Sequence, residues 1–275
     1  MTFGFGGGGT DVTDPAYLIA ALRADPAGSV ILTDFDGTIA PIVVDPAAAR
    51  PFPGAVEILH RLAMTYGRVA VVSGRPAEFL VEQLDLVRRD TALLAVGLYG
   101  MERASAGGQI ETLAADSWRA TVERAIEAAE EQAPDGVFVE RKGLSLALHW
   151  RRAVQSGANE GIVDAASRVA EELAARYGLE ARYGRMSVEL LPPLGANKGS
   201  AVRDLCSGFE RAFYAGDDRA DLDAFATLDS LGAEGLVGVK VAVASKEAPS
   251  EVAQQADFVV DGPAGMVDLL EQLAI

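Results

Sequence analysis

The chain has 275 residues, of which 49% are hydrophobic and 7% aromatic, with a formal net charge of -16 at pH 7. That length and apolar content suffice for one large globular domain or two moderate ones, and the acidic balance argues against nucleic acid or an anionic membrane as partner, since phosphate backbones are bound by clustered Lys and Arg. The single cysteine, Cys206, excludes an internal disulfide; with no signal-peptide pattern and no long uncharged apolar run, the chain reads as soluble and cytoplasmic, and nothing in it sets an oligomeric state.

Residues 1–14 carry the glycine run Gly6 to Gly9 and no apolar period, and read as a flexible leader. Pro15 opens a helix to about Arg23. Val30-Ile31-Leu32 is a short strand buried on both faces, which delivers Asp34 to its carboxyl end with Asp36 and Gly37 just beyond. Prolines mark an irregular connection up to Pro53, and Val56, Leu59, His60 and Ala63 then recur at helical spacing, His60 as a helix-surface residue. Val69 to Val72 is a second strand, ending in Ser73-Gly74-Arg75-Pro76 before a helix; Leu93 to Val96 is a third, ending at Gly97-Leu98-Tyr99-Gly100. Strands alternating with helices predict an α/β fold with a Rossmann-like parallel sheet core.

The pattern changes at about Ser117. A helix to Gln132, strands at 137–140 and 144–150, a helix from about Asn159 to Tyr177 and strands at 179–183 and 186–191 make a helix and two strands, repeated once: an inserted α+β cap domain over residues 113–193. Alternation assigns Leu144, Leu146 and Leu148 to the cap core and Ser145, Ala147 and His149 to the other face; Trp118 and Trp150 read as packing residues. After Pro192-Pro193 the core resumes, so that residues 15–112 and 194–275 form one split unit. Lys198 opens a helix that holds Cys206, read as an inert buried thiol. A strand at 213–215 ends in Gly216-Asp217-Asp218, Asp221 opens a helix as a cap or supporting carboxylate, and strands at 239–243 and 258–260 alternate with helices to Leu273.

The polar signals fall at strand ends or a helix start, and in a parallel sheet all carboxyl ends share one edge. Asp34 and Asp36, at i and i+2 of an extended chain, face the same way. Hydrolysis of a phosphate monoester needs a nucleophile, charge neutralisation and protonation of the leaving oxygen. Asp34 fits the nucleophile, forming an aspartyl-phosphate, and Asp36 the general acid and then base. Lys198 suits the phosphoryl charge, with Thr38, Ser73, Gly74 and Arg75 as further contacts, although Arg75 fits equally well as a tie to a neighbouring carboxylate. Asp34, Asp36, Asp217 and Asp218 are the candidate ligands for Mg2+, a cation of hard oxygen donors.

These motifs, DFDGT (34–38), SGR (73–75), NKG (197–199) and GDD (216–218) in that order, resemble those of the haloacid dehalogenase superfamily. VERKGLSLALHW (139–150), GLYG followed by Glu102, and VELLPPLGANKG (188–199) are similar to segments of the trehalose-6-phosphate phosphatases. The resemblance runs from about residue 29 to the C-terminus. It implies a Mg2+-dependent phosphatase that hydrolyses trehalose 6-phosphate to trehalose and phosphate, with Glu140, Lys142 and Glu189 of the cap as sugar contacts. Tyr99, Ala220 and Leu222 stand where that family has a histidine, a threonine and a glutamate, and the family's arginine near Leu191 is missing. They keep open another disaccharide or cyclitol-containing phosphate as substrate, and a catalytically silent sugar-phosphate sensor as a further reading.

Overall fold

A computed structural model describes residues 15–89, 91–112, 116–157, 161–184, 186–245 and 248–274; the expected leader, and Asn159 at the expected start of a cap helix, lie outside these. Chain order is α1 (Pro15–Ala24), β1 (Ser29–Thr33), α2 (Ala55–Ala63), β2 (Arg68–Val72), α3 (Ala77–Gln83), β3 (Leu93–Gly97) and a hairpin of β4 (Glu102–Ala104) and β5 (Ile110–Thr112). There follow α4 (Arg119–Gln132), β6 (Phe138–Arg141), β7 (Leu146–His149), the short α5 (Arg151–Gln155), α6 (Gly161–Tyr177), β8 (Glu180–Tyr183) and β9 (Ser187–Leu191). The chain returns through α7 (Lys198–Cys206), β10 (Arg211–Gly216), α8 (Asp221–Ala233), β11 (Val237–Ala244), α9 (Ser250–Gln255), β12 (Phe258–Asp261) and α10 (Gly262–Leu273).

The large sheet runs β12-β11-β10-β1-β2-β3-β4-β5. From β12 to β3 every pairing is parallel; β4 and β5 add antiparallel edge strands. The alternating faces of β1 serve two cores. Ile31 packs with α1, α2, α3 and α10 on one side, and Val30 and Leu32 pack with α7, α8 and α9 on the other. Burial on both faces explains why the strand is a continuous apolar run. Because β1 lies between β10 and β2, its carboxyl end is the centre of the sheet edge.

The cap is a four-stranded antiparallel sheet in the order β6-β7-β9-β8. Leu146, Leu148, Val188 and Leu190 bury one face against α4 and α6, with Trp150 buried and Trp118 packed alongside. On the other face Glu140, Ala147, Glu189 and Arg182 form one cross-strand row, and Phe138, His149 and Ser187 the next. Cap and core meet at a small apolar cluster of Leu98, Met101, Leu144 and Leu191.

Two expectations are corrected, and one element was not expected. Leu144 precedes β7 and belongs to the cap–core cluster rather than the cap core. His60 is buried, its ring nitrogens 2.8 Å from Thr91 Oγ1 and the Leu84 carbonyl, because the last turn of α2 packs on the segment after α3. The β4–β5 hairpin has no counterpart in the sequence reading, since three-residue polar edge strands carry no apolar period. Leu148→Ala, which empties a fully buried site beneath α4 and α6, should lower stability by about 2–5 kcal/mol in a urea titration.

Candidate active site

Four carboxylates and one lysine converge at the carboxyl edge of the sheet. Asp34 follows β1, its backbone N–H donating to Ala215 O of β10 at 2.8 Å. Lys198 is the first residue of α7. Asn197 caps that helix by accepting from Ser200 N, while Ser200 Oγ accepts from Asn197 N, and this reciprocal box fixes the direction in which Lys198 leaves the helix. Its Nζ lies 3.0 Å from Asp34 Oδ1, donates to Asp221 Oδ1 at 2.7 Å, and stands 3.7 Å from Asp218 Oδ1. Asp221 is fully buried at the start of α8; Tyr214 Oη donates to its Oδ1 at 2.6 Å, and the N–H groups of Asp217 and Asp218 donate to its Oδ2 at 2.9 Å each. Two glycines make room for this. A Cβ on Gly216 would lie 2.1 Å from the Asp221 carboxyl carbon, and one on Gly37, at φ +76°, 2.1 Å from an Asp217 oxygen.

Electrostatics separates the acids into two kinds. Burial alone pushes the Asp221 carboxyl up, but Lys198, Tyr214 and the N–H groups outweigh it and hold the group below its ordinary range. Asp34 is raised well above that range by burial, with Lys198 opposing and the neighbouring aspartates adding to the rise. Burial, with Asp221 and Asp218 nearby, pushes Asp217 up to about 8. Asp221 is therefore the internal counter-ion of Lys198, while Asp34 and Asp217, with less cationic charge against them, favour their protonated forms until further positive charge arrives.

Carboxylate oxygens of Asp34, Asp217 and Asp221 lie within 4.8 Å of one another. With Asp221 saturated by four donors, the acceptors open to a cation are on Asp34 and Asp217, with half-exposed Asp218 at the rim. An all-oxygen, incompletely neutralised set of this kind fits a small hard divalent cation that keeps several waters.

Asp36 departs from the expected ligand set. Arg75 Nε and Nη2 donate to its two oxygens at 2.7 Å each, so its side chain stands outside the aspartate cluster. Arg75 is thus a tie to a carboxylate rather than a free phosphate donor; its Nη1 donates to Pro46 O at 2.9 Å and approaches Glu140 Oε1 of the cap to 3.8 Å. Thr38, expected at the substrate, is fully buried beneath the site with its hydroxyl 3.4 Å from Asp217 Oδ1. Ser73 is buried and its Oγ accepts from Arg75 N at 3.2 Å.

Between core and cap lies a cavity of about 1070 Å³, with Asp34, Asp36, Ser73, Lys198, Asp217 and Asp218 on its floor. The polar cap face roofs it. Glu140, Lys142 and Glu189, which were assigned as sugar contacts, all border it. His149 Nε2 lies 2.8 Å from Glu140 Oε2; burial raises the Glu140 carboxyl, but His149, Lys142 and Arg75 together hold it below its ordinary value. Glu189 is almost fully enclosed, accepting from Ser145 Oγ at 2.6 Å with Lys142 Nζ at 3.2 Å. Sequence reasoning missed the central place of Asp221 and Tyr214. A third acid three residues after Asp218 at a helix start was the available signal; a tyrosine inside an apolar strand offered none. Leu222 packs against the sheet core beside α7, and Cys206 is buried, its thiol pushed up to about 12.

The trehalose-phosphatase family model matches residues 32–264. The chain is 30% identical over 258 residues to the trehalose-phosphate phosphatase of Mycobacterium leprae, covering 89% of this chain and 57% of that protein. It is 33% identical over 256 residues to that of Mycolicibacterium paratuberculosis, covering 89% and 61%. It therefore spans about 60% of the length of these curated relatives. Among solved structures, a trehalose-6-phosphate phosphatase related protein is similar at a TM-score of 0.71 and 27% identity, over 88% of this chain and 95% of that one. The C-terminal domain of Candida albicans trehalose-6-phosphate phosphatase shares the fold at a TM-score of 0.74 and 23% identity, over 95% and 97%. Among the described residues no helix is long and apolar enough to cross a membrane.

Two outcomes test this electrostatic description. Unfolded, Asp217 loses its proton near 3.8, but folded it keeps it up to about 8, so the metal-free fold binds the extra proton and loses stability as pH rises through that window. Melting temperature in EDTA should fall between about pH 5 and pH 8, and added Mg2+ should raise it by more at pH 8 than at pH 5; equal curves with and without Mg2+ would contradict the metal assignment. Asp221→Asn, which leaves buried Lys198 short of its closest partner, should cost about 3–5 kcal/mol by chemical denaturation.

Proposed function

This chain belongs to the trehalose-phosphatase family, and we propose that it hydrolyses trehalose 6-phosphate to trehalose and inorganic phosphate. The observation that carries the reading is the floor of the cavity. A buried carboxylate, Asp34, lies 3.0 Å from a buried lysine, and a second carboxylate stands two residues on, beneath a cavity large enough for a disaccharide and roofed by polar cap residues.

Asp34 attacks phosphorus in line, and the bond between phosphorus and the sugar oxygen breaks as Asp36 gives that oxygen a proton. Water then attacks the aspartyl-phosphate while Asp36 takes its proton, which releases phosphate and restores Asp34. Lys198, already charged and held by Asp221, neutralises the phosphoryl oxygens without reorganising during the reaction. A Mg2+ ion held by Asp34 and Asp217, with Asp218 at the rim, would supply further neutralisation of phosphoryl charge. Arg75 holds Asp36 in a bidentate pair, which fixes the direction in which the acid faces the site. Glu140, Lys142 and Glu189, on the face opposite the catalytic floor, are the groups we assign to the sugar hydroxyls.

Phosphate release with Mg2+ from trehalose 6-phosphate, sucrose 6-phosphate, glucose 6-phosphate and a pseudo-disaccharide phosphate tests the reading. The expected result is selective hydrolysis of trehalose 6-phosphate, abolished in Asp34→Asn and reduced about 10²–10⁴-fold in Asp36→Asn. Hydrolysis confined to another member of the panel would keep the chemistry and reject the substrate; no release from any would reject both.

A further inference from the structure

The Gly97-Leu98-Tyr99-Gly100 turn starts at the last residue of β3 and has no part in the chemistry above, yet it is held in a rare conformation. Leu98 and Tyr99 have φ of +48° and +59°, a region that non-glycine residues seldom occupy. Two hydrogen bonds tie the turn to the loop after β2: Leu98 N donates to Arg75 O at 2.9 Å and Tyr99 N to Ser73 O at 3.0 Å. The Tyr99 ring lies directly against Gly74, where any Cβ would come within 2.7 Å of its Cζ and Oη, and the cap's Arg182 guanidinium stands 5.4 Å from the ring centroid. At its tip, Tyr99 Oη donates to Glu189 Oε2 at 2.9 Å.

These contacts close a circuit that crosses the boundary between core and cap twice. Tyr99 of the core donates to Glu189 of the cap; Lys142 of the cap, 3.2 Å from Glu189, donates to Gly74 O of the core at 3.4 Å. Glu189 receives Ser145 on its other oxygen, leaving a nearly enclosed carboxylate with room for about one further donor. We infer that Tyr99 is a positioning residue for specificity: its hydroxyl holds Glu189, and with it the cap roof, at the height above Asp34 that suits a substrate spanning both. A phosphate ester too small to reach the cap draws nothing from this bond. The inference rests on the proposed phosphatase reading and adds to it the residue that sets the distance between catalytic floor and roof.

The test is Tyr99→Phe, which keeps the ring against Gly74 and Arg182 and removes one hydroxyl. With p-nitrophenyl phosphate, which does not reach the roof, kcat/KM should stay within about twofold of the parent enzyme. With whichever disaccharide phosphate the parent prefers, it should fall about 10–100-fold, the loss expected for a hydrogen bond to a charged group. Adding Tyr99→Phe to Glu189→Ala, which removes the acceptor, should cost little beyond Glu189→Ala alone. A matching loss on both substrates would show a merely structural tyrosine, and no loss on either would show an idle bond; both overturn the inference. Amide hydrogen exchange reads the same point without turnover: Lys142 N–H and the amides of β9 should exchange faster in Tyr99→Phe, and unchanged exchange overturns it. If the parent cleaves p-nitrophenyl phosphate but no disaccharide phosphate, the proposed substrate fails, and the exchange result alone decides the role of Tyr99.

Discussion

The site depends on the buried pairing of Lys198 with Asp221. An ammonium group without water is costly unless its charge is matched, and here the match is a carboxylate whose two oxygens also receive Tyr214 Oη and two backbone N–H groups. Because those N–H groups belong to Asp217 and Asp218, the carboxylate that neutralises the lysine also shapes the loop that presents both acids. Four elements are fixed by this one arrangement: β1 through Asp34, β10 through Tyr214, and α7 and α8 through their first residues. The requirement for glycine at Gly37 and Gly216 follows from the crowding it produces.

The same arrangement leaves a deliberate imbalance. Lys198, Tyr214 and two backbone N–H groups satisfy Asp221, while Asp34 and Asp217 remain buried with their ionised forms disfavoured. Ionising such a pair is unfavourable by itself and favoured by whatever brings positive charge to it, as expected of a functional site. The cap is linked to this floor by polar ties. Arg75 reaches from Asp36 to Glu140, Lys142 reaches to Gly74 O, and Tyr99 reaches to Glu189, so that roof and floor are spaced by hydrogen bonds and by one small apolar cluster.

Much of this was legible in the sequence. The Val30–Leu32 and Val69–Val72 runs are apolar because parallel strands are covered on both faces, and the change at Ser117 to long alanine-rich helices with paired strands marked the cap. The β4–β5 hairpin was not legible, because its short strands lie at an edge and alternate weakly. His60 was misread because helical spacing gives a face but not what a neighbouring loop lays over it. Leu144 was misread because alternation cannot show where a strand stops.

At the site the division is sharper. The sequence by itself determined which chemical groups stand at the strand ends and at the start of α7, since an element's direction and its terminal residues are local properties: Asp34, Asp36, Lys198, Asp217 and Asp218 could be named from it. Partnership is a property of three-dimensional convergence, and only the tertiary structure decided it. Asp36 is held by a residue 39 positions away, Asp221 is the lysine's counter-ion rather than a simple helix cap, Thr38 lies beneath the site, and a tyrosine of the core turn meets a glutamate of the cap 90 positions later. A side chain's type is written in one place along the chain, whereas its charge state, orientation and partner depend on what the fold brings against it.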